Sequence, residues 1–309
     1  MLGRFRVHPT KDIPQTNEYL LQLKTLLDSV CSTGDCDEFL LQIKEIYQTL
    51  EYIDEEPDPT IFAMTGGYVK EFVTSFLILY FGTKDIDKSL EAHSQIKALT
   101  KYIVLLDKHY DEKNYELKVR ADHIFKKVMM RVDGYIQQAI IHNMATLWAT
   151  ATYEIKLRAR MFKEEEIFEK KEIRYHIFQK SSDTVLYSVI LDHYIPSFNP
   201  NVMQLLHYNQ CVLDIADDLN DLAEDMLRHD LNVFTMAARR DMEILEMYGP
   251  KASPKEILDV SSKTIHAIID DFEECIDGVI IPEEFSFMKR LSEDYLRTLR
   301  NNIKIALED

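Results

Sequence analysis

A run of acidic residues between Leu213 and Phe234 is the most chemically distinctive feature of this chain. Its carboxylates recur at steps of three and four residues: Asp214, Asp217, Asp218, Asp221, Glu224 and Asp225. In an α-helix such steps return to nearly the same face, so these residues form one band, which we call the acidic stripe. Like charges at this spacing repel each other by roughly a few tenths of a kcal/mol per pair. Divalent cations would offset that repulsion, and Mg²⁺ binds carboxylate, phosphate and water oxygens.

A second acidic pair, Asp107 and Asp111, lies one helical turn apart at the end of an apolar segment. Alone it is a weak signal, because solvated helix ends commonly carry acidic residues. Together with the acidic stripe it predicts two facing helices whose carboxylates hold several Mg²⁺ ions around a diphosphate.

Helices must position these carboxylates, because only eight glycines and nine prolines interrupt the 309 residues. The hydrophobic periodicity predicts an all-α, single-domain bundle over residues 1–309 with about ten helices. We expect them near 15–30, 36–53, 58–82, 86–109, 115–162 with a break near Gly134, 164–193, 200–227, 233–247, 254–277 and 283–307. A small N-terminal cap over residues 1–55 is the alternative.

Composition excludes several classes of function. The formal net charge of −17 argues against binding to nucleic acid or anionic lipid. No apolar run approaches the ~20 residues that cross a bilayer, and no secretory signal is evident, so we predict no integral membrane segment. Four cysteines without zinc-like or CxxC spacing are typical of reduced thiols, which predicts a cytoplasmic protein.

Both acidic segments resemble motifs of one superfamily, the class I isoprenoid synthases, which include terpene cyclases, trans-prenyltransferases and squalene/phytoene synthases. The segment LLDKHYDE resembles the first motif, DDxxD, with Lys108 in place of the second Asp. The stripe resembles the cyclase motif NDxxSxxxE, and its end resembles the squalene/phytoene synthase motif DxxED. The metal ligands that the resemblance implies are Asp107, Asp111, Asp217, Asp218, Asp221 and Asp225.

The resemblance implies a helical bundle around a central apolar cavity and a Mg²⁺ cluster of up to three ions, with Mn²⁺ as an alternative. It favours a class I terpene synthase, a lyase that ionises a linear prenyl diphosphate and cyclises the carbocation. A squalene/phytoene-type enzyme or another prenyltransferase is the alternative. Chain elongation is less favoured, because Asn114-Tyr-Glu-Leu follows the first motif where an arginine pair is expected.

Basic residues for the diphosphate and apolar walls for the carbocation complete the expected site. Arg174 resembles the arginine sensor of cyclases, and Lys180 resembles the lysine of the prenyltransferase Lys-Thr step. The full set of candidate diphosphate ligands is Arg174, Lys180, Arg228, Tyr295 and Arg297. The candidate wall residues, by their aromatic type, are Phe76, Tyr80, Phe81, Tyr102 and Trp148.

Two other functions are compatible with acidic helices, namely a di-iron carboxylate protein and a non-enzymatic binding protein. A di-iron carboxylate bundle would need paired Glu-x-x-His elements, which the sequence lacks. A non-enzymatic protein that binds a basic partner through its acidic face is the second alternative, and it would display the two acidic segments outward. The sequence leaves open whether the chain is a monomer or a homodimer.

Overall fold

A computed structural model describes residues 69–161, 167–240 and 252–308, without the side chains of 69–73, 86, 87, 90, 111 and 112. The described chain is helical throughout and contains no strand. Its helices are α1 (Val69–Thr83), α2 (Ile86–Glu112), α3 (Tyr115–Arg131), α4 (Gly134–Met161), α5 (Lys170–Lys180), α6 (Thr184–Tyr194), α7 (Pro200–Arg228), α8 (Val233–Arg240), α9 (Pro254–Gly278) and α10 (Phe287–Glu308). Short 3₁₀ turns occupy Ser181–Asp183 and Glu283–Phe285.

Local sequence signals explain where several of these helices begin and end. Ser253 accepts a hydrogen bond from the Glu256 N–H, the Glu256 side chain accepts one in return, and Pro254 occupies the first turn of α9. At the end of α7, His229 adopts a left-handed backbone with φ of 58° and donates its N–H to the Asp225 carbonyl. These caps satisfy backbone groups that a helix end would otherwise leave without partners.

Helix α7 lies at the centre of the bundle and packs against α5, α8, α9 and α10. The core around it includes Phe234 on α8, Phe272 on α9 and Met288 on α10, all fully buried. A second group of helices, α1, α2 and α3, packs in sequence order on the other side, and α6 joins it to the centre through α2.

The all-α prediction is confirmed, and the expected break near Gly134 lies at residues 132–133. The prediction of one helix over 164–193 is wrong, because Ser181–Asp183 form a 3₁₀ turn. The helices expected at 15–30 and 36–53, the alternative cap, and the helix end expected at 247 lie outside the described residues. In the described part of the chain, no helix combines the length and apolar character needed to cross a bilayer.

Candidate functional site

The acidic stripe occupies the second half of α7, and the opposite face of that helix is anchored in the core. Leu205, Val212, Ile215 and Leu222 are buried along that face. The stripe itself is not uniformly exposed: Asp218 is buried, whereas Asp217 faces solvent. The carboxylates of the stripe therefore differ in burial. Their regular three- and four-residue spacing in the sequence did not predict this difference.

Asp218 forms the most enclosed ion pair of the described structure. The Lys180 Nζ donates to its Oδ1 at 2.6 Å, and the Val233 backbone N–H donates to its Oδ2 at 2.8 Å. Burial alone would lower the pKa of Lys180, but Asp218, Asp214 and Asp217 outweigh burial and hold that pKa well above its usual value. Each oxygen of Asp218 thus accepts one hydrogen bond, and the role of this residue as a metal ligand stays a prediction.

The 3₁₀ turn at Ser181–Asp183 brings Lys180 to the stripe. The Ser181 Oγ donates its one proton to Asp214 Oδ2 at 2.5 Å and also lies 3.0 Å from the Ile177 carbonyl, while the Thr184 Oγ1 donates to the Ser181 carbonyl. Hydroxyl groups that bind nearby carbonyls compete with helical hydrogen bonds, which explains the interruption between α5 and α6. Burial raises the pKa of Asp214 to about 6, although Lys180 and Ser181 act in the opposite direction.

Asn232 holds the far end of the stripe and begins the next helix. Its Nδ2 donates to Asp225 Oδ2 at 2.8 Å and to the Asp218 carbonyl at 2.6 Å. Its Oδ1 accepts the Phe234 N–H at 3.0 Å, which is the N-cap arrangement. Burial raises the pKa of Asp225 to about 6, and the Asn232 hydrogen bond opposes that rise. The sequence analysis missed Asn232, although an Asn before an apolar helix start is a recognisable cap signal.

Glu154 on α4 is a further acidic residue that the sequence analysis missed. Burial is the main cause that raises its pKa to about 7, and the nearby charges of Asp107 and Asp218 raise it further, against the opposite effect of Lys180. Both acidic segments thus act on the same buried carboxyl group. Glu154 lies far from both acidic segments along the chain, so its spacing from them could not identify it as part of the site.

The first acidic segment lies at the carboxyl end of α2. Asp107 is exposed there, and the side chain of Asp111 lies outside the described residues. The His109 Nδ1–H donates to the Asn114 carbonyl at 2.7 Å, so His109 participates in the turn after the helix. Asp107 raises the pKa of Glu154, so its charge acts on a carboxyl group that Asp218 also affects.

Arg174 lies on α5 and points toward α9. Its Nη2 donates to the Cys275 Sγ at 3.2 Å, and its guanidinium lies 5.7 Å from the centre of the Phe272 ring. A surface pocket of about 440 Å³ adjoins it, lined by Lys170, Lys171, Arg174, Tyr175, Phe178 and Asp271. The contacts of Arg174 in the described structure are therefore with α9 and not with the acidic stripe, and its role as a diphosphate sensor stays a prediction.

The other expected basic residues are also placed apart from the stripe's buried carboxylates. Arg228 is exposed and pairs with Glu224 at 2.5 Å, one turn earlier on the same helix. Tyr295 is buried in the core of α10, and Arg297 is exposed and pairs with Asp294. Among these five candidates, the described contact that reaches a buried carboxylate of the stripe is that of Lys180 with Asp218.

The expected aromatic walls belong mostly to ordinary packing. The Tyr102 and Phe125 rings pack at a tilt with their centres 4.7 Å apart, and Phe81 packs on Phe287 at 5.4 Å. Trp148 does not line an interior cavity: it is about half exposed and meets the edge of Tyr110. The expectation for Trp148 is therefore wrong, because the outer face of α4 carries it.

Comparisons with known proteins bear on the architecture. Neither a protein-family model nor a curated protein sequence matches the chain. The chain resembles the solved structure of a geranylgeranyl pyrophosphate synthetase from the archaeon Geoglobus acetivorans, with a TM-score of 0.56 and 13% identity over 88% of this chain and 98% of that one. It also resembles a geranylgeranyl pyrophosphate synthase from Lactobacillus brevis, solved with citrate, with a TM-score of 0.52 and 13% identity over 92% and 97%.

This chain has the all-α isoprenoid synthase fold. The fold confirms the architecture that the two acidic motifs predicted. At 13% identity the likeness concerns the fold alone, so the chemistry must be argued from the residues of this chain.

The donor set of this isoprenoid-synthase-fold chain suits a hard divalent cation. Within the described residues, no three His, Cys, Asp or Glu side chains converge as a preformed metal site, and the Asp111 side chain is outside that set. The available donors are nonetheless carboxylate oxygens, which Mg²⁺ prefers. Burial is the main cause of the raised pKa values of Glu154 and Asp225, and neighbouring carboxylates raise both further.

Proposed function

We propose that this chain is a divalent-metal-dependent prenyltransferase, which condenses a linear prenyl diphosphate with a second prenyl diphosphate. The observation that carries the proposal is the contact of Lys180 with Asp218 at the turn that follows α5. In the sequence, Lys180 is the candidate that resembles the prenyltransferase lysine. Of the candidates that resemble cyclase residues, Arg174 contacts Cys275 on α9, Arg297 pairs with Asp294, and Tyr295 is buried on α10.

The named structural neighbours support the same choice. Both are geranylgeranyl pyrophosphate synthases, and each is matched over nearly its whole length. The cyclase interpretation that the motifs favoured has no corresponding support among them. We therefore propose the condensing alternative first, and we retain ionisation of an allylic diphosphate as the step that both functions share.

In the proposed reaction, the allylic carbon–oxygen bond breaks and the diphosphate leaves with the electron pair. The double bond of the second substrate then attacks the carbocation, a carbon–carbon bond forms, and loss of a proton restores the alkene. Bound Mg²⁺ would stabilise the negative charge of the departing diphosphate. The residues proposed to hold it are Asp217, Asp221 and Asp225 on α7 with Asp107 and Asp111 on α2.

Lys180 has a defined part in this proposal. The surrounding carboxylates hold the pKa of Lys180 well above its usual value, which favours the charged form, and the ammonium contacts the buried Asp218 of the stripe. A fixed positive charge in a partly desolvated position stabilises developing negative charge more effectively than a solvated one. We propose that Lys180 positions and stabilises the leaving diphosphate.

A second candidate function is the terpene cyclase. It is favoured by one sequence observation, namely that Asn114-Tyr-Glu-Leu stands where an arginine pair for a second diphosphate is expected. An enzyme without that second site would ionise a prenyl diphosphate and release a hydrocarbon without condensation.

One experiment separates these functions. Purified protein is incubated with allylic diphosphates of ten, fifteen and twenty carbons, with and without Mg²⁺ and with and without isopentenyl diphosphate. Released diphosphate and organic products are then measured. Condensation predicts products five carbons longer that require both additions. Hydrocarbons formed without isopentenyl diphosphate would support the cyclase, and no Mg²⁺-dependent diphosphate release would overturn both and favour the acidic interaction protein.

The stripe can be tested in the same assay. Asp221→Ala should abolish turnover while leaving the melting temperature nearly unchanged, because Asp221 is only half-buried. Asp259→Ala on α9, which removes an exposed carboxylate of another helix, is the matched control and should retain activity. Full activity in Asp221→Ala would refute the placement of the site.

A further inference from the structure

The surface pocket between α5 and α9 is cationic, although the chain carries a formal net charge of −17. We call it the α5 pocket. Its volume of about 440 Å³ lies within the range of small-molecule sites in proteins. The charged residues that line it are three cations and one carboxylate: Lys170, Lys171, Arg174 and Asp271. Tyr175 and Phe178 add aromatic rings, so the lining combines groups for an anion with groups for an apolar body.

The α5 pocket lies on the side of α5 that is turned away from the acidic stripe. Lys180 contacts Asp218 of the stripe. At ~100° per residue, Lys171 and Phe178 lie ~180° and ~160° around α5 from Lys180. The pocket is therefore separate from the buried contact on which the proposed function rests, and the inference below does not depend on that function.

Arg174 is the cation in the α5 pocket that is best prepared for an anion. Its Nη2 donates to the Cys275 Sγ at 3.2 Å, which is a weak acceptor, and its guanidinium lies 5.7 Å from the centre of the Phe272 ring. These contacts with α9 hold the guanidinium in place. Within the described residues no carboxylate pairs with Arg174, so its other N–H groups can donate to a ligand.

The two lysines of the pocket are held to different degrees. The Lys170 Nζ donates to Asp271 Oδ1 at 3.0 Å and to the Ala267 carbonyl at 3.2 Å, so Asp271 largely neutralises it. Lys171 pairs with Glu169 at 2.6 Å, and these side chains are 80% and 63% exposed. Because an exposed ion pair contributes little free energy, Lys171 can leave Glu169 for a ligand at small cost.

Tyr175 and Phe178 form the apolar wall of the α5 pocket. They are 51% and 39% exposed. Tyr153 meets Tyr175 edge to face with ring centres 5.4 Å apart, and His207 meets Phe178 in the same way at 4.2 Å. Neighbouring rings thus support both side chains, while part of each remains exposed to a ligand. Aromatic rings of this kind bind the flat or apolar part of a ligand by stacking.

We propose that the α5 pocket binds a small organic phosphate, with the phosphate on Arg174 and Lys171 and the organic group against Tyr175 and Phe178. A guanidinium binds phosphate oxygens through two N–H groups, and a lysine adds a point charge. These two cations also match the charge of a phosphate monoester, which is roughly −2 at neutral pH. Isoprenyl and nucleoside monophosphates share this chemistry and differ in the organic group.

Isothermal titration calorimetry of the full chain in EDTA, without divalent metal, tests the proposal. The probes are geranyl phosphate, adenosine 5′-phosphate, inorganic phosphate and geraniol. At least one of the two organic phosphates should bind about tenfold or more tightly than both inorganic phosphate and geraniol, because it alone uses the cations and the rings together. The organic phosphate that binds more tightly identifies the source of the organic group.

Variants of the pocket separate its two halves. Arg174→Gln should raise the Kd of the organic phosphate about tenfold or more, because a charge-assisted contact is lost. Tyr175→Ser should raise the same Kd about tenfold and leave the weak binding of inorganic phosphate unchanged. Lys118→Met on α3 and Tyr135→Ser on α4 are the matched controls: each removes an exposed side chain of the same kind elsewhere and should leave the affinity unchanged.

Lys180→Met distinguishes the α5 pocket from the proposed reaction site. The Kd of the organic phosphate should stay unchanged in this variant, whereas the proposed condensation should be impaired, so either proposal can fail alone. Circular dichroism melts confirm that each variant is folded. Organic phosphates that bind no better than inorganic phosphate, an affinity unaffected by Arg174→Gln or Tyr175→Ser, or binding lost in Lys180→Met would each overturn the proposal.

Discussion

Removal of Lys180 is the perturbation whose consequence the structure defines best. Lys180→Met keeps most of the side-chain length but leaves Asp218, which is 3% exposed, without its counter-ion. Breaking a buried ion pair on one side costs about 3–5 kcal/mol. The Lys180 side chain is 32% exposed, so we discount that range for solvent screening and expect a loss of about 2–4 kcal/mol in the free energy of unfolding.

A double-mutant cycle isolates the interaction from other effects of the substitutions. Asp218→Asn keeps an oxygen that can accept the Val233 N–H, so the cycle removes charge more than packing. If the pair is coupled as the structure indicates, the double variant should be more stable than the sum of the two single losses predicts. We expect a coupling free energy of about 2 kcal/mol or more.

Urea unfolding followed by circular dichroism measures these values, and the chain supplies a control. Lys118 and Asp122 on α3 are joined at the same distance, 2.6 Å, but their side chains are 37% and 56% exposed. Lys118→Met with Asp122→Asn should therefore show a coupling of about 0–1 kcal/mol. Equal couplings for the buried and the exposed pair would refute the inference that burial makes the Lys180 contact important.

Two further predictions concern a carboxyl group and a glycine. The pKa of Glu154 is raised to about 7 in the folded protein against 4.5 as its ordinary value, so the stability it contributes is complete below pH 4.5 and is lost as the pH rises through 7. Without Mg²⁺, Glu154→Gln should raise the melting temperature at pH 8 and reduce its fall between pH 5 and pH 8; an unchanged slope would contradict the assignment. Gly82→Ala should lower the free energy of unfolding by about 1–3 kcal/mol, because the added Cβ would lie 2.7 Å from the Ile195 side chain. Gly134→Ala is the control: its added Cβ would have no atom within 4 Å, so the same urea unfolding assay should show no change.

The sequence sufficed for the architecture because helical periodicity and end signals are local. The capped start of α9 at Ser253 and Pro254 and the break before Gly134 were both visible as residue types at fixed offsets. The interruption at Ser181 was not predicted. It depends on Asp214, which accepts the Ser181 hydroxyl from another helix, and pattern analysis of one segment does not include that contact.

The candidate site was predictable in part for the same reason. The acidic stripe is a local pattern, whereas the contact of Lys180 with Asp218 and the effect of Asp107 on the pKa of Glu154 depend on the packing of four helices. The sequence offered both Arg174 and Lys180 as diphosphate ligands. Spacing along the chain gives no direction for a side chain, and Arg174 turns toward α9.

Helical geometry explains how one stripe can serve two purposes. Asp218 and Asp225 are seven residues apart, so they lie within ~20° of each other around α7. This explains why Asn232 reaches both, through the Asp218 carbonyl and the Asp225 carboxylate.

Asp221 and Asp217 lie ~60° and ~100° to one side of Asp218. The inner carboxylates thus fix Lys180 and the start of α8, and the outer two supply charge that a cation can neutralise. Substitutions at Asp218 should therefore lower stability first, and substitutions at Asp217 or Asp221 should lower metal-dependent activity first.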